Sequence, residues 1–310
     1  MKRLTALLLS VIMLLSLTAC GGADAPAPTD ATASATIPTE GITPTEAEIT
    51  EPSAPENLLG NDMIQLVNNE NVAVYIVRIE NNAHTGMQLR IQCENKTDRT
   101  LLFSWDTVSV CGFMYDPFWA EEVAAGKTVN SIIYLDTYEL EQMDVTSVDE
   151  ISFILRVVDS ENWMEPPLVE EACTIYPTGL NADTLVLPSR APTEDQVVLV
   201  DNDDLRFVIE WADEEDTSAY TVYVYMENKT DRNLMYSWDL VSVNDVMIDP
   251  FWAMSVAAGK KACSEVTFYR SELESNGITE VSDIEFTLLV SDYDDWEADY
   301  LLEETYTYNP

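Results

Sequence analysis

The feature that most constrains this chain is a stretch that occurs twice. The first copy runs Glu94-Asn95-Lys96-Thr97-Asp98-Arg99, then Ser104-Trp105-Asp106, Val108-Ser109-Val110, Asp116-Pro117-Phe118-Trp119-Ala120 and Val123-Ala124-Ala125-Gly126-Lys127. The same words return from Glu227 to Lys260 at one constant spacing, without a gap. Two copies this similar adopt the same fold, so any reading of one must also suit the other. At 310 residues there is room for about two domains, and 46% apolar residues let each bury a core.

Within each copy the apolar residues follow a period of two. Met87, Leu89, Ile91 and Cys93 alternate with polar residues, as do Tyr220, Val222, Val224 and Met226. That period predicts strands with one buried face. Leu101, Phe103 and Trp105 share a phase that shifts by one at Val108 and Val110, and Leu234, Tyr236, Trp238, Val241 and Val243 shift likewise. Such a slip predicts a β-bulge near Asp106-Thr107 and Asp239-Leu240. Glu94 to Arg99, Cys111-Gly112 and Asn244-Asp245 read as turns. Ser271-Glu272-Leu273-Glu274 fits a capping box and predicts a short helix, with Asp136-Thr137-Tyr138-Glu139 a looser counterpart. Seven or eight short strands per copy indicate an all-β fold of two tandem Ig-like antiparallel β-sandwiches, at 58–177 and 193–310. The linker 178–192 is expected to join two similar beads.

The N-terminus reads as an address. Lys2 and Arg3 precede an apolar run from Leu4 to Leu17, too short to span a bilayer comfortably. It ends Leu17-Thr18-Ala19-Cys20-Gly21-Gly22, which resembles the lipobox of bacterial lipoproteins. That resemblance implies a signal peptide at 1–19, a diacylglyceryl group on the Cys20 sulfur, and anchoring to the extracytoplasmic face of the cell membrane. Residues 20–57 are rich in Ala, Pro, Thr and Glu and read as a disordered tether, with a reach of roughly 100 Å if fully extended.

Both copies also carry Asp159/Trp163 and Asp292/Trp296 in a D-x-x-x-W ending. Together with the repeated words, this looks like the Ig-like domains of unknown function in Gram-positive bacterial lipoproteins, which are similar in character to telokin-like immunoprotective domains. The resemblance implies a sandwich fold and extracytoplasmic display, and it supplies no catalytic residues.

The residues themselves carry little reaction chemistry. Fifty-six acids face fifteen bases, a net of −41, which repels phosphate backbones and argues against nucleic acid as a partner. The one histidine, His84, has Thr217 in its place in the second copy. No phosphate loop, HExxH or CxxC occurs. No catalytic residue and no cofactor is expected, and a hydrolase built on acid pairs stands as the remotest alternative. Asp201 to Asp204, Asp213 to Asp216 and Asp292 to Asp295 invite weak cation binding, but none has the spacing of a calcium loop, and solvated turns are the simpler account. Cys93, Cys111, Cys173 and Cys263 have no cysteine counterparts in the other copy, so no disulfide belongs to the fold. A Cys93–Cys173 bridge fits the strand positions, and free thiols are the simpler reading.

The aromatics hold the remaining signal. Trp105 and Trp238 lie on the inward phase and are expected in the core. Asp116, Phe118 and Trp119, with Asp249, Phe251 and Trp252, sit at a strand end. They are either an exposed aromatic–carboxylate surface for a sugar or peptide, or a plug for the end of the sandwich. The expected function is a non-enzymatic, membrane-anchored binding or adhesion module whose partner is an envelope or extracellular protein or glycan. The alternative is an accessory component of an envelope complex.

Overall fold

Strand follows strand through the whole of the chain that the computed structural model describes, residues 56–57, 62–82, 86–115 and 117–310. The expected signal peptide, Cys20, nearly all of the expected tether, His84 and Asp116 lie outside these residues. The first copy contains β1 (Glu56–Asn57), β2 (Ile64–Asn68), β3 (Val72–Asn82), β4 (Gly86–Asn95), β5 (Leu101–Val110), β6 (Phe113–Met114), β7 (Ala120–Val123), β8 (Thr128–Leu135), α1 (Thr137–Gln142), β9 (Ile151–Asp159) and β10 (Val169–Ile175). The second contains β11 (Val197–Asp201), β12 (Leu205–Asp213), β13 (Ala219–Asn228), β14 (Leu234–Val243), β15 (Val246–Met247), β16 (Ala253–Val256), β17 (Lys261–Tyr269), α2 (Arg270–Ser275), β18 (Ile284–Asp292) and β19 (Leu302–Tyr308).

Each copy is a two-sheet antiparallel sandwich. In the first, β2, β3, β4 and β8 form one layer, and β7, β5, β9 and β10 the other. The order β3-β4-β8 against β7-β5-β9-β10 matches strands A, B, E and C′, C, F, G of an Ig-like sandwich. The second copy repeats it with β12-β13-β17 against β16-β14-β18-β19. The expected bulges are present. The β5–β9 register slips between Asp106 and Ser109, and β14–β18 slips between Asp239 and Ser242. Thr107 and Leu240 take up the extra residue at φ of 50° and 51°. Glu56 and Asn57, read as the end of the tether, pair with Glu80 and Asn81 on β3.

The repeated Glu-Asn-Lys-Thr-Asp-Arg word is a turn built on a buried side chain. The Asn95 amide donates to the carbonyls of Arg99 and Val123, and its oxygen accepts from the Thr97 amide and hydroxyl. Asn228 makes the same set with Arg232, Val256 and Thr230. One asparagine thus ties this turn to the Val-Ala-Ala-Gly-Lys turn, whose Gly126 and Gly259 amides donate back to Thr97 and Thr230. The second helix departs from expectation. It starts at Arg270 with Tyr269 at its N-cap and no side-chain cap bond, so Ser271 lies inside it. Arg270 sets that start, because its amide donates to Ser218 O and its guanidinium to Glu214 O and Asp216 O.

The two copies are not loose beads. Lys261 N donates to Gly112 O at 2.9 Å, and Lys261 pairs with Phe113 so that β6 and β17 merge the facing layers into one nine-stranded sheet. The Lys260 ammonium reaches Ser152 Oγ at 2.9 Å and Glu150 at 3.4 Å. Phe113 is fully buried beneath Tyr225 and the Lys261 ammonium. Consequently β13 is buried on both faces, whereas its counterpart β4 alternates. Val208 and Tyr225 of the second copy join the first copy's core.

The linker packs into this joint. Leu187 sits 3.2 Å from where a Cβ on Gly112 would fall, so a side chain there would press Leu187 aside, and the φ of 83° favours glycine. Pro188 O accepts from the Lys261 ammonium. Arg190 grips buried Glu210 through two bonds of 2.7 and 2.8 Å, and it also donates to Gln142 O and Asp144 of the first copy. Removing the cation alone strands a buried carboxylate. Arg190→Leu is therefore expected to cost about 3–5 kcal/mol in urea denaturation, and adding Glu210→Leu to recover most of that loss. A loss below about 1 kcal/mol in the single variant contradicts the account.

Candidate functional site

The Asp-Pro-Phe-Trp segments point their two aromatic residues in opposite directions. Trp119 and Trp252 are only 5% and 8% exposed, whereas Phe118 and Phe251 are 90% and 88% exposed. Trp119 packs edge-on to Trp105 at 5.9 Å, and Trp252 packs edge-on to Trp238 at 5.8 Å. The segment is pinned by Trp105 Nε1 donating to Pro117 O in the first copy and Trp252 Nε1 donating to Ser264 Oγ in the second. The tryptophans therefore plug the sandwich end and leave the expected binding set. The phenylalanines remain in it. Phe251 is held outward at φ of 51°, where its amide donates to Asp249 Oδ1 at 2.8 Å. Asp249 is thus a turn acceptor, and Asp116 lies outside the described residues.

The exposed tryptophans are in the D-x-x-x-W loops. Trp163 and Trp296 are 65% and 74% exposed, beyond β9 and β18. Each loop is braced against the preceding Asn-Lys-Thr turn by an ion pair, Arg99–Asp159 at 2.9 Å and Arg232–Asp292 at 3.1 Å. Strand phase marks the inward Trp105 and Trp238 but says nothing of these two, because loop residues have no strand phase.

A second surface arises only where the copies meet. A groove of about 800 Å³ runs between α1 and the outer face of β12 and β13, with Tyr138, Glu139, Arg190, Trp211, Tyr223 and Glu265 among its lining residues. Trp211 and Tyr223 stack at 3.9 Å, with their rings 8° from parallel. The corresponding first-copy positions hold Arg78 and Arg90, both paired with Glu80. Burial, with Glu265 and Asp213 adding negative charge nearby, pushes the Tyr223 phenol above its ordinary pKa. The Glu210 bonds raise Arg190 still further above its ordinary value.

The acid clusters serve their own loops. Asn202 Oδ1 accepts the Asp204 and Leu205 amides, Asp216 accepts Ser218, and Asp292 accepts the Asp294 and Asp295 amides. Among the described residues no group of three or more His, Cys, Asp or Glu is placed to hold a metal. Cys93 and Cys173 are free thiols, and burial pushes Cys93 up to about 12.

No family model matches the chain, and no curated protein matches it in sequence. Among solved structures, a Salmonella enterica SafA pilin in complex with the SafB chaperone matches 79% of this chain and 98% of that chain, at 12% identity and a TM-score of 0.23. A score that low adds nothing to the fold described above.

The opposed orientations make a direct test. Trp119→Ala is expected to cost about 3–5 kcal/mol in chemical denaturation, and Phe118→Ala to stay within about 0.5 kcal/mol. Equal costs would contradict the division into plug and surface.

Proposed function

We infer that this chain is a lipid-anchored, extracytoplasmic binding or adhesion module with no catalytic role. One observation carries the reading: the same large apolar side chain stands in solvent at the same place in both copies, Phe118 and Phe251. Nothing in the packing of either sandwich uses these rings. Leaving a phenylalanine exposed gives up the roughly 1.5–3 kcal/mol that burying it contributes, so an anchor that docks into a partner is the simplest use for it. Exposed Trp163 and Trp296 extend the same reading to a second pair of loops. Two weak anchors on one body bind a polyvalent surface more tightly than either does alone, which suits an envelope glycan or a repeated envelope protein. The Cys20 lipid and the tether place the module at that surface.

Purified full chain carrying Cys20→Ser, so that no lipid contributes, should be retained on isolated cell walls. The double variant Phe118→Ala/Phe251→Ala should lose at least about tenfold in retention, and each single variant much less, with melting unchanged. Undiminished retention of the double variant would sink the reading. Separately, Cys20→Ser is expected to move the protein from the membrane fraction to the soluble fraction. Unaltered membrane partition would refute the anchor.

A further inference from the structure

The groove between the copies is not explained by the fold. Its aromatic pair is absent from the first copy, where Arg78 and Arg90 at the matching positions both pair with the buried Glu80 carboxylate. The second copy folds the same two strands with Trp211 and Tyr223 instead, 43% exposed in the case of Trp211. The sandwich therefore does not require them. Tyr138, exposed on α1, brings a third aromatic ring to the same groove from the other copy.

The charges around these rings that have no ion-pair partner are of one sign. Asp136, Glu139, Asp213 and Glu265 line the groove, and among the described residues none of them is in an ion pair. The only base in the lining, Arg190, is already held by Glu210 and Asp144. An aromatic face is itself electron-rich, so rings and carboxylates favour the same kind of guest. The volume, about 800 Å³, suits a small organic molecule.

We propose that the groove formed by Trp211, Tyr223 and Tyr138 with Glu139, Asp213 and Glu265 is a binding site for an organic cation bearing an alkylated ammonium group. The rings contact the methyl or methylene groups, and the carboxylates supply long-range attraction without displacing the cation's weak hydration. A compact metal ion gains nothing from the rings, and an anion is repelled. The source of the cation is either a free solute or a lipid headgroup, which share this chemistry. The site needs both copies in their observed joint, and it does not rest on the reading of the exposed phenylalanines.

The test titrates the full chain with choline, with the uncharged carbon isostere of choline, and with phosphatidylcholine vesicles, following heat and tryptophan fluorescence. Saturable choline binding is expected, with the isostere weaker by at least about tenfold. Trp211→Ala should weaken choline by roughly tenfold, and Glu265→Gln, on an exposed side chain, by a few-fold with melting unchanged. Vesicle binding that these substitutions reduce assigns a headgroup, and choline binding without vesicle binding assigns a free solute. The proposal is overturned if choline does not saturate, if the isostere binds equally well, or if both variants bind choline as tightly as the parent chain.

Discussion

The structure depends on a short parallel contact between two loops of different copies. Lys261 N meets Gly112 O, Lys260 reaches Ser152 and Glu150, and the paired strand ends carry the sheet of one sandwich into the other. Without that contact β13 has an exposed outer face, Phe113 loses its cover, and Glu210 has no reason to be buried. With it, the outer face of one sandwich becomes part of the other's core, and the linker becomes part of the packing. Arg190 holds this packing together twice over, since its cation compensates a carboxylate taken out of water and also reaches Gln142 and Asp144 at the end of α1.

The duplication explains why the joint is asymmetric. Identical words make identical elements: the Asn95 and Asn228 hubs, the bulges, and the tryptophan plugs. Apart from Lys260, whose counterpart Lys127 is identical, the joint is made where the copies disagree. Gly112 stands opposite Asp245, Phe113 opposite Val246, Lys261 opposite Thr128, Tyr225 opposite Gln92 and Glu210 opposite Val77. The unused faces, with exposed Thr128 and Asn130 at one end and exposed Asp245 at the other, are polar in the way the end caps of a repeat array are.

Much of the fold was legible because it rests on local rules. Period two locates the strands, and the one-residue slip locates both bulges. The Asp-Pro-Phe-Trp word was only half legible. Strand phase does not carry through a proline, so which of two adjacent aromatics turns inward is decided by tertiary contacts with Trp105 and Trp238. The joint and the groove were not legible at all, since they need residues from both copies at a register that no local pattern encodes. Their trace was nonetheless present in the unpaired seventh tryptophan, Trp211, and in the arginine-to-aromatic changes at Trp211 and Tyr223. In a duplicated chain, matched residues report the fold, and mismatched residues at matched positions report where the surfaces of the two copies differ.

The exposed phenylalanines and the groove alike have their geometry set by whether the two sandwiches move as one body. Residual dipolar couplings of backbone amides in weakly aligned full chain measure this directly. A joint as described predicts one alignment tensor that fits the amides of β2 to β10 and β11 to β19 together. Two tensors of different magnitude or orientation, each fitting only its own sandwich, would contradict it.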